Sequence, residues 1–240
     1  SNFSLSCPAG TYNPDVGAAN DTACISCPGG SYCPEGSEAP LPCPGGTYNP
    51  LTEAVDEFAC IDCPSGNYCP QGSVSPTPCP AGTHNPGILA ATTFSCTVCP
   101  SGSYCPQGST TPLTCTLGHY CYSGSAAPTP CSNGTYSNTS GAPDASRCQP
   151  CIEGYYCPDL ATVVPVACPA GYYCPLGTSV PIECPSGNTC PPGSPTPTQC
   201  GAGTYGSSPA TSCTTCPVGS FCPAGSAVPQ VCPSGNYCPE

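Results

Sequence analysis

The residues of this chain most able to do chemistry are its 28 cysteines. Their thiols could pair as disulfides, ligate Zn²⁺ or act as nucleophiles, and spacing separates these uses. Five Cys-x-x-Cys steps, at 24/27, 60/63, 96/99, 148/151 and 213/216, have the form of zinc half-sites. A structural zinc needs two such halves brought together, whereas each half here is flanked by further cysteines on a regular grid. A nucleophilic cysteine needs a free, activated thiol. Of the two histidines, His84 stands in a slot that most copies of the repeat give to Tyr, and His119 precedes Tyr120 in a variant copy. No enzyme, metal site or cofactor is therefore expected. Asp15, Asp21, Glu53, Asp56 and Glu57 could associate weakly with Ca²⁺, but no EF-hand-type loop holds them. A solvated acidic surface is the simpler reading.

The grid itself is the main signal. The chain reads Cys-x-x-Gly fourteen times, from Cys7-Pro-Ala-Gly10 to Cys232-Pro-Ser-Gly235. Two residues after the Gly stands Tyr in eleven copies, and His84, Thr189 or Phe221 in the other three. Repetition at so short a period marks an array of small modules. Two types account for it. In type A, sixteen residues separate Cys7 from Cys24, Cys43 from Cys60, Cys79 from Cys96 and Cys131 from Cys148, and twelve separate Cys200 from Cys213. In type B, five residues separate Cys27 from Cys33, Cys63 from Cys69, Cys99 from Cys105, Cys115 from Cys121 and Cys151 from Cys157. The same spacing recurs between Cys168 and Cys174, Cys184 and Cys190, Cys216 and Cys222, and Cys232 and Cys238. The order is A B A B A B B A B B B A B B.

The organisation expected is three 36-residue A+B repeats over 1–114 and a B module over 115–130. An A+B repeat follows over 131–167, then two B modules over 168–199, an A+B repeat over 200–231 and a truncated B module over 232–240.

These modules must be positioned with very little apolar material. Leu, Ile, Val and Phe together number 28 of 240 residues, and Met and Trp are absent. Such a chain cannot bury a core that offsets its backbone entropy; with 37 Pro and 28 Gly it would be disordered without its cysteines. Cysteine at this density reads as a disulfide scaffold. Pairing within modules closes all 28 cysteines. A staggered scheme, with each Cys-x-x-Cys closed on itself, strands Cys7 and Cys238. Within-module pairing is the more parsimonious, and interlaced pairing between neighbouring B modules stays open. Closing an A loop contributes about 3 kcal/mol and a B ring about 2.4 kcal/mol in the chain-entropy model.

Local chemistry supplies the rest. Cys-Pro-x-Gly suggests a type I turn with Pro at its second position and Gly at its fourth. The Tyr that follows suits a short strand, and tails such as Ser75-Pro-Thr-Pro78 favour extended backbone. The Tyr series either covers the disulfides or forms an exposed ladder for sugar or partner contacts. Leu160-Ala161 replaces the usual Gly-Ser turn in a tail one residue longer than its neighbours, so a local kink is expected there. No window has helical periodicity. The fold class expected is a small disulfide-rich one, irregular with short β-strands and hairpins. It is an elongated tandem-repeat rod with no single hydrophobic core and essentially no helix. Loss of one disulfide should loosen its own module only, because contacts in such arrays are nearest-neighbour.

Context points outside the cell. Asn2, Asn20, Asn133 and Asn138 head four N-glycosylation sequons. Thirteen acids face one base, Arg147, which excludes nucleic acid as a natural partner. No apolar run approaches the roughly 18–20 residues of a membrane span. No signal peptide precedes the first module, and the last stops in mid-repeat after Cys238-Pro-Glu240, which leaves room for a longer parent chain.

The pattern Cys-Pro-x-Gly-(Thr/Ser)-Tyr with a spaced Cys-x-x-Cys-Pro, as from Cys7 to Cys24-Ile-Ser-Cys27-Pro28, resembles the ephrin-receptor-like cysteine-rich repeat. It is similar in turn to the cysteine-rich modules of tumour-necrosis-factor receptors. The resemblance covers essentially the whole chain and implies the pairing Cys7–Cys24 for the long module. The compact B modules depart from the receptor pattern. The array also looks like the tandem repeats of protist surface and flagellar-hair (mastigoneme) proteins. The function expected is an extracellular structural protein that self-assembles head-to-tail into a glycosylated, disulfide-stapled filament or coat, its variable A loops serving as lateral contacts. The alternative is the ligand-binding ectodomain of a surface receptor.

Overall fold

The structure, a computed structural model, describes residues 5–16 and 20–238. Each Cys-Pro-x-Gly step closes a tight turn. In the third module the Thr47 N–H donates to the Pro44 carbonyl at 3.1 Å, and Gly46 holds φ +95°. Pro is therefore the first residue of the turn and Gly the third. A positive φ at the third position is the mark of type II rather than type I. The turn starts one residue later than the sequence suggested because the backbone of the Cys is already engaged. Cys43 donates its N–H to Gly30 and accepts at its carbonyl from Gly72.

Two extended residues follow, ending at the Tyr slot. They pair antiparallel with the two residues before the next module's first Cys, as Thr47↔Asp62 and Tyr48↔Ile61 do. Thirteen such two-stranded ribbons make up the sheet structure of the described residues. The Pro-rich tails thus end in a strand. Pro42 and Pro78 are tolerated there because both strands of a ribbon are edges, where a missing N–H can face away from the ladder. Helix is confined to one-turn 3₁₀ segments in A loops: Asp21–Ala23, Glu57–Ala59, Thr93–Ser95 and Ala145–Arg147. No helix among the described residues is long and apolar enough to cross a membrane.

Crosslinks supply what little interior there is. The A modules close as Cys7–Cys24, Cys43–Cys60, Cys79–Cys96, Cys131–Cys148 and Cys200–Cys213. The first B modules close as Cys27–Cys33, Cys63–Cys69, Cys99–Cys105 and Cys151–Cys157. The later ones close as Cys168–Cys174, Cys184–Cys190, Cys216–Cys222 and Cys232–Cys238. Cys115 and Cys121 are disulfide-bonded as well, and no described cysteine is free. The buried apolar side chains are cysteines and the four alanines Ala54, Ala90, Ala142 and Ala210. Among the described residues no Leu, Ile, Val or Phe joins them. Burial is deep for the first cysteine of most long loops and for both cysteines of most short rings. Cys79, which opens a long loop, and both members of the short ring Cys168–Cys174 are shut off from solvent. These cysteines therefore serve as packing and not as an accessible site. The cystines are both the covalent staples and the packed core.

Within each part of the array, backbone hydrogen bonds join successive modules in a recurring pattern. From the third module to the fourth, Gly46 N–H donates to the Cys69 carbonyl at 2.8 Å and Asn49 N–H to Ser73 at 3.0 Å. In return Cys63 N–H donates to Gly46 at 2.8 Å and Gly72 N–H to Cys43 at 3.0 Å. At about 1 kcal/mol net per bond, the four rival a short-ring crosslink.

The chain divides into two compact units, 1–114 with 121–127, and 115–120 with 128–240. The four-bond junction recurs within each. In the first unit it also joins the Cys43 module to the Cys63 module, as above. In the second, Gly134 donates to Cys157, Ser137 to Thr162, Cys151 to Gly134 and Ala161 to Cys131.

Contact reaches beyond the nearest neighbour. A Cβ on Gly10 of the first module would lie 2.7 Å from the Glu53 carbonyl oxygen of the third. The same approach, closer still, occurs between Gly66 and Gly108 and between Gly134 and Gly177. Three consecutive modules interlock, so the expectation that each module touches only its neighbours is corrected. The expected kink at Leu160-Ala161 is also not needed. Ala161 takes the left-handed conformation that Gly has elsewhere, at φ +58°, and keeps the bond to the Cys131 carbonyl at 2.9 Å. The ribbon beyond it keeps its register, Tyr156↔Val166. The extra residue is absorbed inside the loop.

Candidate functional site

The junction is the element that recurs along the array, and a small set of side chains adapts it to the two module types. In a B module the residue after Tyr is the second Cys. In an A module that Cys lies much later, and Asn takes its place in the first three, with Ser137 and Gly206 in the other two: Tyr48-Asn49-Pro50 against Tyr68-Cys69-Pro70. Asn49 is completely buried. Its Nδ2 donates to the Ser31 carbonyl of the preceding module at 2.9 Å, and its Oδ1 accepts from Leu51 N–H at 3.0 Å. Asn85 repeats this with Asn67 and Gly87. One amide thus satisfies two backbone groups that a sulfur could not. The alternation of Tyr-Asn-Pro with Tyr-Cys-Pro is visible in the sequence, yet its role was not read from it.

A second adapting residue also went unread. Ala54, Ala90 and Ala210 are buried against the preceding B module, accepting from Cys33, Cys69 and Cys190 N–H at 2.8–2.9 Å. Where the following module is type B instead, Ser or Thr fills this carbonyl position. Ser125 accepts from Cys105, and Thr178 from Cys157.

The short A loop between Cys200 and Cys213 makes a third adaptation. Pro209 stands where other modules present a backbone N–H to the preceding Cys carbonyl, and Pro has none to give. The Ser208 hydroxyl supplies the bond instead, donating to the Cys184 carbonyl at 2.6 Å.

The residues singled out for other chemistry are not brought together. Cys24 bonds Cys7 and Cys27 bonds Cys33, and the other four Cys-x-x-Cys steps are likewise split between two disulfides, which leaves no thiolate for zinc at any of them. Among the described residues no three His, Cys, Asp or Glu side chains cluster as a metal site would need. Of the acids considered for Ca²⁺, Glu53 accepts from the Ser26 hydroxyl at 2.9 Å and Asp56 from Phe58 N–H at 3.1 Å. His84 is half-buried in its Tyr slot, and its Nδ1 is buried with no hydrogen-bond partner among the described residues. His119 Nδ1 lies 2.9 Å from the Leu117 carbonyl.

The Tyr series is half-buried. Tyr12, Tyr32 and Tyr48 face Ile25, Leu41 and Ile61 across their ribbons, pairs that stabilise two-stranded structure. Tyr237 departs from the rest and is 89% exposed.

The described sequons lie at the surface. Asn133 is exposed in the turn Ser132–Thr135, where the Thr135 hydroxyl donates to the Ser132 carbonyl at 2.6 Å. Asn138 is exposed one residue beyond buried Ser137. Asn20 is the N-cap of the first 3₁₀ turn, with the Thr22 hydroxyl on its Oδ1 at 2.5 Å. Asn2 lies outside the described residues. In the equivalent cap of the fourth A module, Asp144 accepts from Ser146 N–H at 2.9 Å. Hydrogen bonding from Ser146, aided by the Arg147 charge, holds the Asp144 carboxyl below its ordinary pKa.

Compared with family models and with curated proteins, the chain matches none.

Proposed function

We propose that this is an extracellular structural repeat protein whose modules supply the shaft of a glycosylated, self-associating filament or coat. The observation that carries this reading is the junction. A typical module, such as the one opened by Cys43, offers one pair of donors and one pair of acceptors to its successor and receives the complementary set. Such a contact is heterologous, and heterologous contacts that do not close build open fibres. Crosslinks at this density fit an oxidising compartment, and exposed Asn20, Asn133 and Asn138 would carry the glycans.

The finer family reading is the ephrin-receptor-like repeat, in the setting of protist surface and mastigoneme-type fibre proteins. The long-loop pairing Cys7–Cys24 agrees with what that resemblance implies and supports it. The short rings depart from it.

Electron microscopy of native secreted material, kept from reductant, tests the proposal. Long fibres with a regular axial repeat and surface density at the sequons are expected. Isolated particles at high protein concentration would overturn it in favour of a receptor-type binding ectodomain.

A further inference from the structure

We propose that the second and third A loops form a docking surface for a basic, apolar segment of another protein. Phe58 and Phe94 occupy the same place in consecutive A modules, 36 residues apart. Each is the middle residue of a one-turn 3₁₀ helix, Glu57–Ala59 or Thr93–Ser95, and each is 96% exposed. The other A modules have Thr22, Ser146 and Thr211 at this place, so the fold does not require a ring there. Where no described Phe, Leu, Ile or Val is buried, two bare aromatic rings at equivalent positions are apolar surface without a structural use. Leu51 and Ile61 in the same module as the first, and Ile88 and Leu89 in that of the second, are also between 47% and 63% exposed.

The two loops adjoin. The Cys43–Cys60 bond ties the turn bearing Phe58 to Cys43, which leads into the Pro44–Thr47 turn. That turn lies against the loop leading to Phe94: a Cβ on Gly45 would fall 3.1 Å from Ala91 Cβ, and one on Gly46 would fall 3.1 Å from the Leu89 carbonyl carbon. Disulfides and the 3₁₀ turns hold the surface rigid, which lowers the ordering cost of binding.

Charge selects the occupant. Glu53, Asp56, Glu57 and Asp62 are all exposed in the stretch that carries Phe58. The chain has no Lys and one Arg, with a net charge of −12, so a second copy would set acid against acid. A partner segment carrying Lys or Arg among apolar residues meets both features, its cations facing carboxylates and rings and its apolar side chains covering Phe58 and Phe94. This surface does not depend on the filament reading.

The test uses the full oxidised chain and a fluorescent synthetic peptide of alternating Lys and Leu. A Glu–Leu peptide and an oligolysine of equal length serve as controls. Saturable, salt-sensitive binding of the Lys–Leu peptide alone is expected. Phe58→Ser with Phe94→Ser should weaken it at least about tenfold. Glu57→Gln with Asp62→Asn should weaken it and flatten its salt dependence. All four side chains are exposed, and an unchanged disulfide map checks that each variant is folded. The proposal is overturned if the Lys–Leu peptide does not bind, if oligolysine binds as well, or if the serine variant binds like the wild type. It is also overturned if the wild type self-associates and the serine variant does not, for then a second copy covers the surface.

Discussion

At the scale of single residues, Gly66 and Gly193 separate two demands that the repeat places on glycine. Both have positive φ, +78° and +76°. A Cβ on Gly66 would collide with the Gly108 carbonyl and lie 3.3 Å from Thr110 Cγ2, whereas one on Gly193 meets nothing within 4 Å. Gly66→Ala should therefore cost about 3 kcal/mol, combining a left-handed alanine with an overpacked contact. Gly193→Ala should cost only about 1 kcal/mol, in keeping with Ala161, which already occupies the equivalent slot of its module. Denaturant unfolding with the disulfides intact measures both, and equal losses would remove the steric argument. The Cys-x-x-Gly spacing was legible in the sequence. Why the Gly recurs was not, because the carbonyl that excludes a side chain comes from two modules further on.

At the scale of the element, the long loops and the short rings up to Cys184–Cys190 differ in how they shelter sulfur, while Cys216, Cys232 and Cys238 of the last two rings are half-exposed. The short-ring cysteines Cys63 and Cys69 are completely buried, as are Cys99 and Cys105. In the long loops only the first cysteine is sheltered to that degree, as Cys43, Cys79 and Cys131 are. Their partners Cys60, Cys96 and Cys148 are half-exposed beside their 3₁₀ turns, and so is Cys24. Thiol–disulfide exchange needs in-line access to a sulfur. Graded reduction followed by alkylation and peptide mapping should label the long-loop pairs first and the buried short rings, Cys168–Cys174 among them, only after the array opens. Simultaneous labelling of both classes would mean that burial does not govern access. The division into long and short modules was read from cysteine spacing. The place of Asn49 and Asn85 in the slot of a B-module cysteine was not, because it depends on which carbonyl of the preceding module each amide reaches.

At the scale of the whole molecule, the chain has one site for trypsin, after Arg147. Arg147 is exposed at the end of a 3₁₀ turn, inside the loop closed by Cys131–Cys148. Cleavage there should leave a single species under non-reducing conditions. Reduction should then release two fragments, 1–147 and 148–240. Separation without reductant would contradict the pairing of the fourth A module.

The sequence by itself determined the module sizes, the reliance on crosslinks and the near absence of helix. Cysteine spacing, Pro and Gly act over a few residues, and the scarcity of large apolar residues rules out any other core. Only the tertiary structure decided how the modules interlock. The four-bond junction and the close approach of Gly10 to Glu53 bring together backbone groups from different modules, and no local preference specifies such partners. The same holds for Phe58 and Phe94: an aromatic residue in a chain so poor in apolar groups reads as core, and the structure leaves both rings in water because disulfides already fill the interior.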